Sequence, residues 1–132
     1  MAESAAVVRQ CYDLLNRGDV DGLTELCSDD FRIDMTERVF NPDCYLGHDG
    51  IRRFYAGVTE AWESYQWDVE ETHDGPGDAV VAMLHCYGRS RVGGPDVDWR
   101  VAWVWEVKDG TPVSLRFFRD RSKALEAAGL SK

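Results

Sequence analysis

Hydrophobic residues in the first half of the chain recur mainly every three or four positions, the spacing of a helix that buries one face. Val8, Cys11, Tyr12 and Leu15 share this spacing. They predict a first helix that ends at Gly18, because glycine readily adopts the left-handed conformation that stops a helix.

Two further helices are predicted before the middle of the chain. Asp19 precedes "VDGLTELC" and can cap this short second helix. "SDDFRIDM" then predicts a turn followed by a strand. In "LGHDGIRRFYAGVTEAWES", Ile51, Phe54 and Trp62 share helical spacing, and Asp49 is a suitable cap. This segment predicts the third helix.

From Gln66 onward hydrophobic and polar residues alternate, which indicates strands. The segments "DGPGD", "VGGPD" and "KDG" predict the turns between them. The final "DRSKALEAAGL" predicts a short helix that Asp120 can cap. Helices followed by a strand meander indicate the α+β class, with the helices packed on one face of an antiparallel sheet.

One strand carries an unusual row of large side chains. Trp99, Val101, Trp103 and Trp105 lie at alternate positions, so a strand places them on a single face. Such a row suits an ordinary core, a subunit interface or the wall of a ligand pocket. Pattern alone leaves these three alternatives open.

The turn at "KDG" predicts the residues that share this tryptophan face. It pairs Trp103 with Arg116 and Val101 with Phe118, and Asp120 follows on the same face. An even register in the preceding hairpin adds a further set to the face: Met83, His85, Tyr87 and Arg89. The opposite face, which includes Val104, Val113 and Leu115, then suits the core or a homodimer contact.

Composition narrows the classes of partner. A chain of 132 residues, 44% of them hydrophobic, predicts a single domain spanning 1–132. Its formal charge of −9 disfavours nucleic acid and anionic membranes as partners. No signal peptide or membrane span is apparent, which predicts a cytoplasmic protein. The spacing of its four cysteines and three histidines predicts no metal site.

Three segments resemble the SnoaL-like branch of the nuclear transport factor 2 (NTF2)-like superfamily: "YDLLNRGDVDGLTELCSDDFRID", "YLGHDGIRRFYAG" and "VWEVKDGTPVSLRFFRDRSKALEAAGL". The resemblance covers nearly the whole chain and implies a cone, in which a strongly curved sheet encloses a cavity. It also implies a homodimer and a small hydrophobic ligand. Cofactor-independent cyclases, isomerases, dehydratases and hydrolases belong to this superfamily, as do modules that only bind.

The family's catalytic positions carry unexpected residues here. The place of the isomerase base falls on Met35, and those of the acidic donor and the cyclase histidine fall on or near Trp103. The isomerase tyrosine falls at or beside Cys11, next to Tyr12. Proton abstraction needs a base, so His85 becomes the candidate.

The candidate residues form a catalytic set and a substrate-binding set. His85, Asp120 and Tyr12 are the candidate catalytic residues. The candidate substrate-binding residues are Trp103, Trp105, Arg116, Phe118, Tyr87, Arg89, Trp62 and Met35. Asp120 has a simpler alternative as a helix cap, with Arg116 as its ion-pair partner. Two functions stay open, a cofactor-independent enzyme acting on a hydrophobic oxygenated substrate and a binding module without catalysis.

Overall fold

The computed structural model describes residues 2–36, 43–91 and 93–130. It contains helices and strands in the predicted general order. The helices are α1 (Ala2–Arg17), α2 (Val20–Leu26), α3 (Gly47–Ala61) and α4 (Arg121–Ala127). The strands are β1 (Arg32–Asp34), β2 (Cys44–Leu46), β3 (Trp62–Asp74), β4 (Ala79–Ser90), β5 (Val97–Lys108) and β6 (Thr111–Phe118).

The strands form one curved sheet in the order β2-β1-β6-β5-β4-β3. All neighbouring pairs are antiparallel except β1 and β6, which run parallel. The sheet is therefore mixed rather than wholly antiparallel. The reason is topological: the chain forms β2, α3, β3, β4 and β5 after β1, and β6 then runs beside β1 in the same direction.

The predicted boundary between the first two helices is confirmed. Gly18 has a φ of 73°, and its N–H donates to the carbonyl of Leu15 as α1 ends. Asp19 then caps α2 by accepting from the N–H of Gly22 at 2.9 Å. Both interactions are local, which explains why sequence spacing identified them.

The third helix differs from its prediction at both ends. Helix α3 begins at Gly47, its cap position is Leu46, and no side chain caps it, so the predicted cap at Asp49 is wrong. Asp49 instead lies in the first turn, where a negative charge favours the helix dipole. The helix ends at Ala61, so Trp62, which was predicted to lie in it, is the first residue of β3. The short strand β2 was not predicted.

Each face of the sheet has its own hydrophobic cluster. The inner face, which α1, α2 and α3 cover, includes Val101, Trp103 and Leu84. The outer face carries a smaller cluster with α4, in which Ala124 packs with Ala102 and other residues. Leu115 belongs to the inner cluster, which corrects its predicted place on the face opposite the tryptophans.

Candidate active site

The tryptophan row shares one face of β5, as the alternation predicted, and this face is the inner one. Trp103 and Trp105 are 3% and 1% exposed and belong to the cluster under the helices. We call the connected rings around them the aromatic interior; they are Tyr12, Phe31, Phe54, Trp67, Trp103 and Trp105. Their centroids lie 5.4–6.5 Å apart, within or near the range of favourable aromatic pairs.

Tyr12 connects α1 to this interior. Its hydroxyl accepts a hydrogen bond from Trp105 Nε1 at 2.9 Å, and its ring lies 5.4 Å from that of Trp103. Burial raises the pKa of Tyr12 well above its ordinary value, so the phenol stays protonated. Its O–H therefore remains a hydrogen-bond donor.

Trp103 carries a polar atom that the fold does not satisfy. Its Nε1 is buried and has no hydrogen-bond partner in the part of the chain that the structure describes. Leaving such a donor unpaired costs about 1 to 3 kcal/mol, and native structures rarely retain one without a reason. Trp105 Nε1, by contrast, is satisfied by Tyr12.

A groove lies between α1 and β3, and Tyr12 and Trp67 are among the residues that line it. It has a volume of about 460 Å³. Its walls include polar residues of both elements and two rings of the aromatic interior; the lining residues are Arg9, Tyr12, Asp13, Asn16, Gln66, Trp67, Asp68 and Val69. We call it the α1–β3 groove. Its volume falls within the range of small-molecule sites.

Met35, the residue at the expected base position, also lies inside. It is 1% exposed and belongs to the inner cluster. Asp34, one position before it, lies on the other face, where it forms an ion pair with Arg116 at 3.8 Å. The buried thiols of Cys11 and Cys86 are also poorly suited to act as bases. A hydrogen bond with Cys27 and burial raise the pKa of Cys11, and burial raises that of Cys86 to about 12.

The predicted pairing of β5 with β6 holds only next to the turn. Val107 pairs with Pro112, as expected, but Glu106 pairs with Ser114, so Val113 is an extra residue in β6. This bulge shifts the register by one and places Phe117 opposite Trp103. Arg116 and Phe118 therefore lie on the outer face, which corrects their predicted place beside the tryptophans.

The predicted pairing of β4 with β5 is also wrong. His85 pairs with Arg100, and Trp103 pairs with Ala82. The connection between β4 and β5 differs in length from the predicted turn. Ser90 stabilises this connection through hydrogen bonds with Pro95 and Asp96. Because side chains alternate between faces, the odd offset moves all four residues predicted to share the tryptophan face to the outer face: Met83, His85, Tyr87 and Arg89.

His85 belongs to a polar network on that outer face. Its Nε2 lies 2.5 Å from Asp98 Oδ1, and its Nδ1 lies 2.9 Å from the hydroxyl of Tyr87. Glu70 Oε2 is 4.0 Å from Nδ1 and forms hydrogen bonds with Arg100. The expected cavity shared by His85 and Trp103 is therefore not formed, because the two side chains lie on opposite faces.

The remaining predicted residues have structural positions. Asp120 caps α4 by accepting from the N–H groups of Ser122 and Lys123, which confirms the predicted helix cap. Arg116 pairs with Asp34 and lies 4.7 Å from the ring centroid of Phe118. Trp62 contacts Tyr65 at the start of β3 in a tilted arrangement, with 5.5 Å between ring centroids. None of these residues contributes a ring to the aromatic interior.

Several residues of the site were not predicted from the sequence. Phe31, Phe54 and Trp67 come from a loop, a helix and the opposite edge strand, and no spacing rule relates them to Trp103. Asn16 was also missed, although it is a polar residue directly after the buried Leu15 on α1. Within the described ranges, no helix is long and apolar enough to span a membrane.

Comparison with known proteins supports this fold. The sequence matches the SnoaL-like domain over residues 8–114. A comparison with curated proteins finds no significant match. An NTF2-like protein of unknown function from Burkholderia pseudomallei has a similar structure, with a TM-score of 0.77 at 18% identity over 97% of this chain and 98% of the other.

Two further similar structures contain small molecules. A Mycobacterium tuberculosis protein in complex with estradiol-17beta-hemisuccinate has a TM-score of 0.75 at 19% identity, covering 89% of this chain and 94% of the other. TerC, co-crystallised with polyporic acid, has a TM-score of 0.78 at 19% identity, covering 96% and 97%. The chain belongs to the SnoaL-like family and has the NTF2-like fold.

Proposed function

We propose that the protein binds a small, largely apolar molecule whose acceptor oxygen reaches the aromatic interior. The observation that carries this proposal is the buried, unpaired Nε1 of Trp103. A carbonyl or ether oxygen of a ligand would satisfy it and remove the cost of the unpaired donor. The hydroxyl of Tyr12, on a ring 5.4 Å away, offers a second donor to the same ligand.

The α1–β3 groove is the proposed entrance. Two of its lining residues, Tyr12 and Trp67, have rings in contact with Trp103. A ligand that enters here passes polar residues at the rim and meets aromatic rings below, an arrangement typical of small-molecule sites. The structural relatives crystallised with estradiol-17beta-hemisuccinate and polyporic acid support an oxygenated ring compound as the ligand class.

Binding without proton abstraction is the better supported of the two functional classes. An enzyme that forms an enolate needs a base within hydrogen-bond reach of its substrate. Of the inner-face groups discussed above, Met35 cannot accept a proton, and Tyr12, Cys11 and Cys86 have raised pKa values. His85 lies on the opposite face.

Calorimetric titration with 2-tetralone and its hydrocarbon analogue tetralin tests the proposal. Both offer a similar apolar body, but only the ketone carries an acceptor oxygen. We expect the ketone to bind about tenfold more tightly, the effect of one hydrogen bond of about 1.4 kcal/mol. Trp103→Phe keeps an aromatic ring and removes the N–H, so it should abolish this preference.

Trp99→Phe is the matched control. Trp99 Nε1 already donates to the hydroxyl of Tyr65 at 3.2 Å, so its loss should leave the ketone preference unchanged. Failure of the ketone to bind, or a preference that survives in Trp103→Phe, would contradict the proposal. Hydrogen exchange at the α-carbons of 2-tetralone in D₂O distinguishes a binding protein from an enzyme that abstracts a proton. We expect no exchange above the uncatalysed rate.

We also propose that residues 1–132 act as one cytoplasmic domain and that the protein is a homodimer. The apolar part of the outer face around the partly buried Val104 and Leu125 is the proposed contact. Sedimentation at tens of micromolar, roughly the range in which standard-sized interfaces persist, tests the assembly. A monomer under these conditions would contradict it.

A further inference from the structure

The polar network of His85, Asp98 and Tyr87 has no part in the proposed ligand site. It lies on the outer face, near the end of β4 and the beginning of β5. The apolar patch under α4 lies near the other end of these strands, around the Val81–Val104 pair. The network therefore requires its own explanation.

The chemistry of the three groups gives the network a direction. The carboxylate of Asp98 only accepts hydrogen bonds, so Nε2 of His85 carries the ring proton. In the neutral imidazole, Nδ1 is then the acceptor, and the hydroxyl of Tyr87 donates to it at 2.9 Å. The network thus links the hydroxyl of Tyr87 to a base, His85, and the base to a carboxylate that orients it, Asp98. The same order of groups activates nucleophiles in enzymes.

Two carboxylates lie close to the imidazole ring of His85. Asp98 lies against one ring nitrogen of His85, and Glu70 Oε2 lies 4.0 Å from the other. Arg100 holds the Glu70 carboxylate through hydrogen bonds of 3.1 Å, and this contact lowers the pKa of Glu70. An imidazolium formed during proton transfer would thus have an anion on each side.

Tyr87 is accessible to a reagent. It is 39% exposed and lines a groove of about 440 Å³. We call this the outer groove, and its lining residues are Ser64, Tyr65, Gln66, Tyr87, Gly88, Arg89, Asp96, Val97 and Asp98. Arg89 supplies a cationic side chain to the same groove and can contact negative charge that develops on a reacting carbonyl oxygen.

We propose that Tyr87 is a nucleophile toward activated acyl compounds, with His85 as its general base and Asp98 as the positioning residue. The phenolic oxygen of Tyr87 attacks the acyl carbon and forms a new C–O bond, while the bond to the leaving group breaks. The leaving group departs with its electron pair as an oxyanion. The phenolic proton passes to Nδ1 of His85 and from there to solvent.

This arrangement explains why base assistance is needed. Partial burial and the charges of Asp68 and Asp98 raise the pKa of Tyr87, so little phenolate forms by itself near neutral pH. A base already within hydrogen-bond distance removes the proton as the new bond forms. The reaction is therefore expected to depend on His85 rather than on prior ionisation of the phenol.

The test is acetylation of the full chain by 4-nitrophenyl acetate, followed by peptide mass spectrometry. We expect Tyr87 to be acetylated at least about tenfold faster than Tyr45 and Tyr55 in the same digest. This preference should already hold near neutral pH, below the range in which a phenol ionises. Tyr87→Phe should remove the burst of 4-nitrophenolate.

Two variants separate base assistance from simple exposure. His85→Gln removes the base and Asp98→Asn removes its carboxylate partner, and both changes lie at the surface of the sheet. We expect each to slow acetylation of Tyr87 to the rate of Tyr45, with an unchanged circular dichroism spectrum. Equal labelling of the three tyrosines, acetylation of His85 instead of Tyr87, or an unaltered rate in both folded variants would overturn the proposal.

Discussion

The side-chain amide of Asn16 forms both a donor and an acceptor hydrogen bond with the backbone of Trp67. Its Nδ2 donates to the carbonyl at 2.9 Å, and its Oδ1 accepts from the N–H at 2.9 Å. Trp67 lies in β3, an edge strand of the sheet. Asn16 thus satisfies backbone groups that an edge leaves unpaired, and it holds α1 beside the groove proposed for ligand entry.

Replacement of Asn16 by alanine should lower the free energy of unfolding by about 1 to 3 kcal/mol, because two part-buried hydrogen bonds are lost together. Urea denaturation followed by circular dichroism measures this change. Asp13→Ala, an exposed position on the same helix, is the control and should change stability by less than about 0.5 kcal/mol. Equal effects of the two substitutions would show that the paired contact contributes little.

Tyr12→Phe should destabilise the protein through a different group. The substitution leaves Trp105 Nε1 buried without its acceptor, at a cost of about 1 to 3 kcal/mol. A double-mutant cycle with Trp105→Phe, measured by urea denaturation, isolates this pair from the packing that each substitution also changes. Additive effects of the two substitutions would argue against the hydrogen bond.

Asp34 should make stability depend on pH in the acid range. Burial alone would raise the pKa of Asp34, but hydrogen bonds from Thr36 and the charges of Arg116 and Arg32 outweigh it, so the folded-state pKa lies below the ordinary 3.8. A lowered folded-state pKa stabilises the protein above the unfolded value. That stability is lost as pH falls through the folded value.

Urea unfolding of the native protein and of Asp34→Asn at pH 7 and at several values below 3.8 measures this effect. The stability difference between the two proteins should be largest near neutral pH and shrink as the carboxyl group protonates. Arg116→Gln, which removes one of the nearby charges, should reduce the difference in part. A difference independent of pH would contradict the assignment.

Gly88→Ala should displace two aromatic rings at the start of β3. A Cβ there would lie 2.8 Å from Tyr65 Cδ2 and 3.0 Å from Trp62 Cε3, well inside normal contact. We expect a loss of about 1 to 3 kcal/mol and a changed near-UV circular dichroism spectrum. Gly57→Ala in α3 is the control, because nothing lies within 4 Å of its Cβ, and there alanine should stabilise the helix.

Interactions between residues close in the chain were predictable from the sequence. The α1 stop at Gly18, the caps at Asp19 and Asp120 and the inward tryptophan row all depend on neighbours a few positions away or on strand alternation. The family motifs also identified the fold, which the match over residues 8–114 confirms. The start of α3 was less predictable, because glycine and leucine occupy the positions where a capping side chain was expected.

Tertiary structure alone decided which residues share a face with Trp103. A single bulge residue, Val113, shifts β6 by one position, and the Ser90–Val97 connection offsets β4 from its expected register. Because a strand alternates with a period of two, each odd offset moves a whole set of side chains to the other face. The sequence by itself therefore determined the tryptophan row and the fold around it. Packing across the sheet determined that His85 and Tyr87 form a separate network on the outer face.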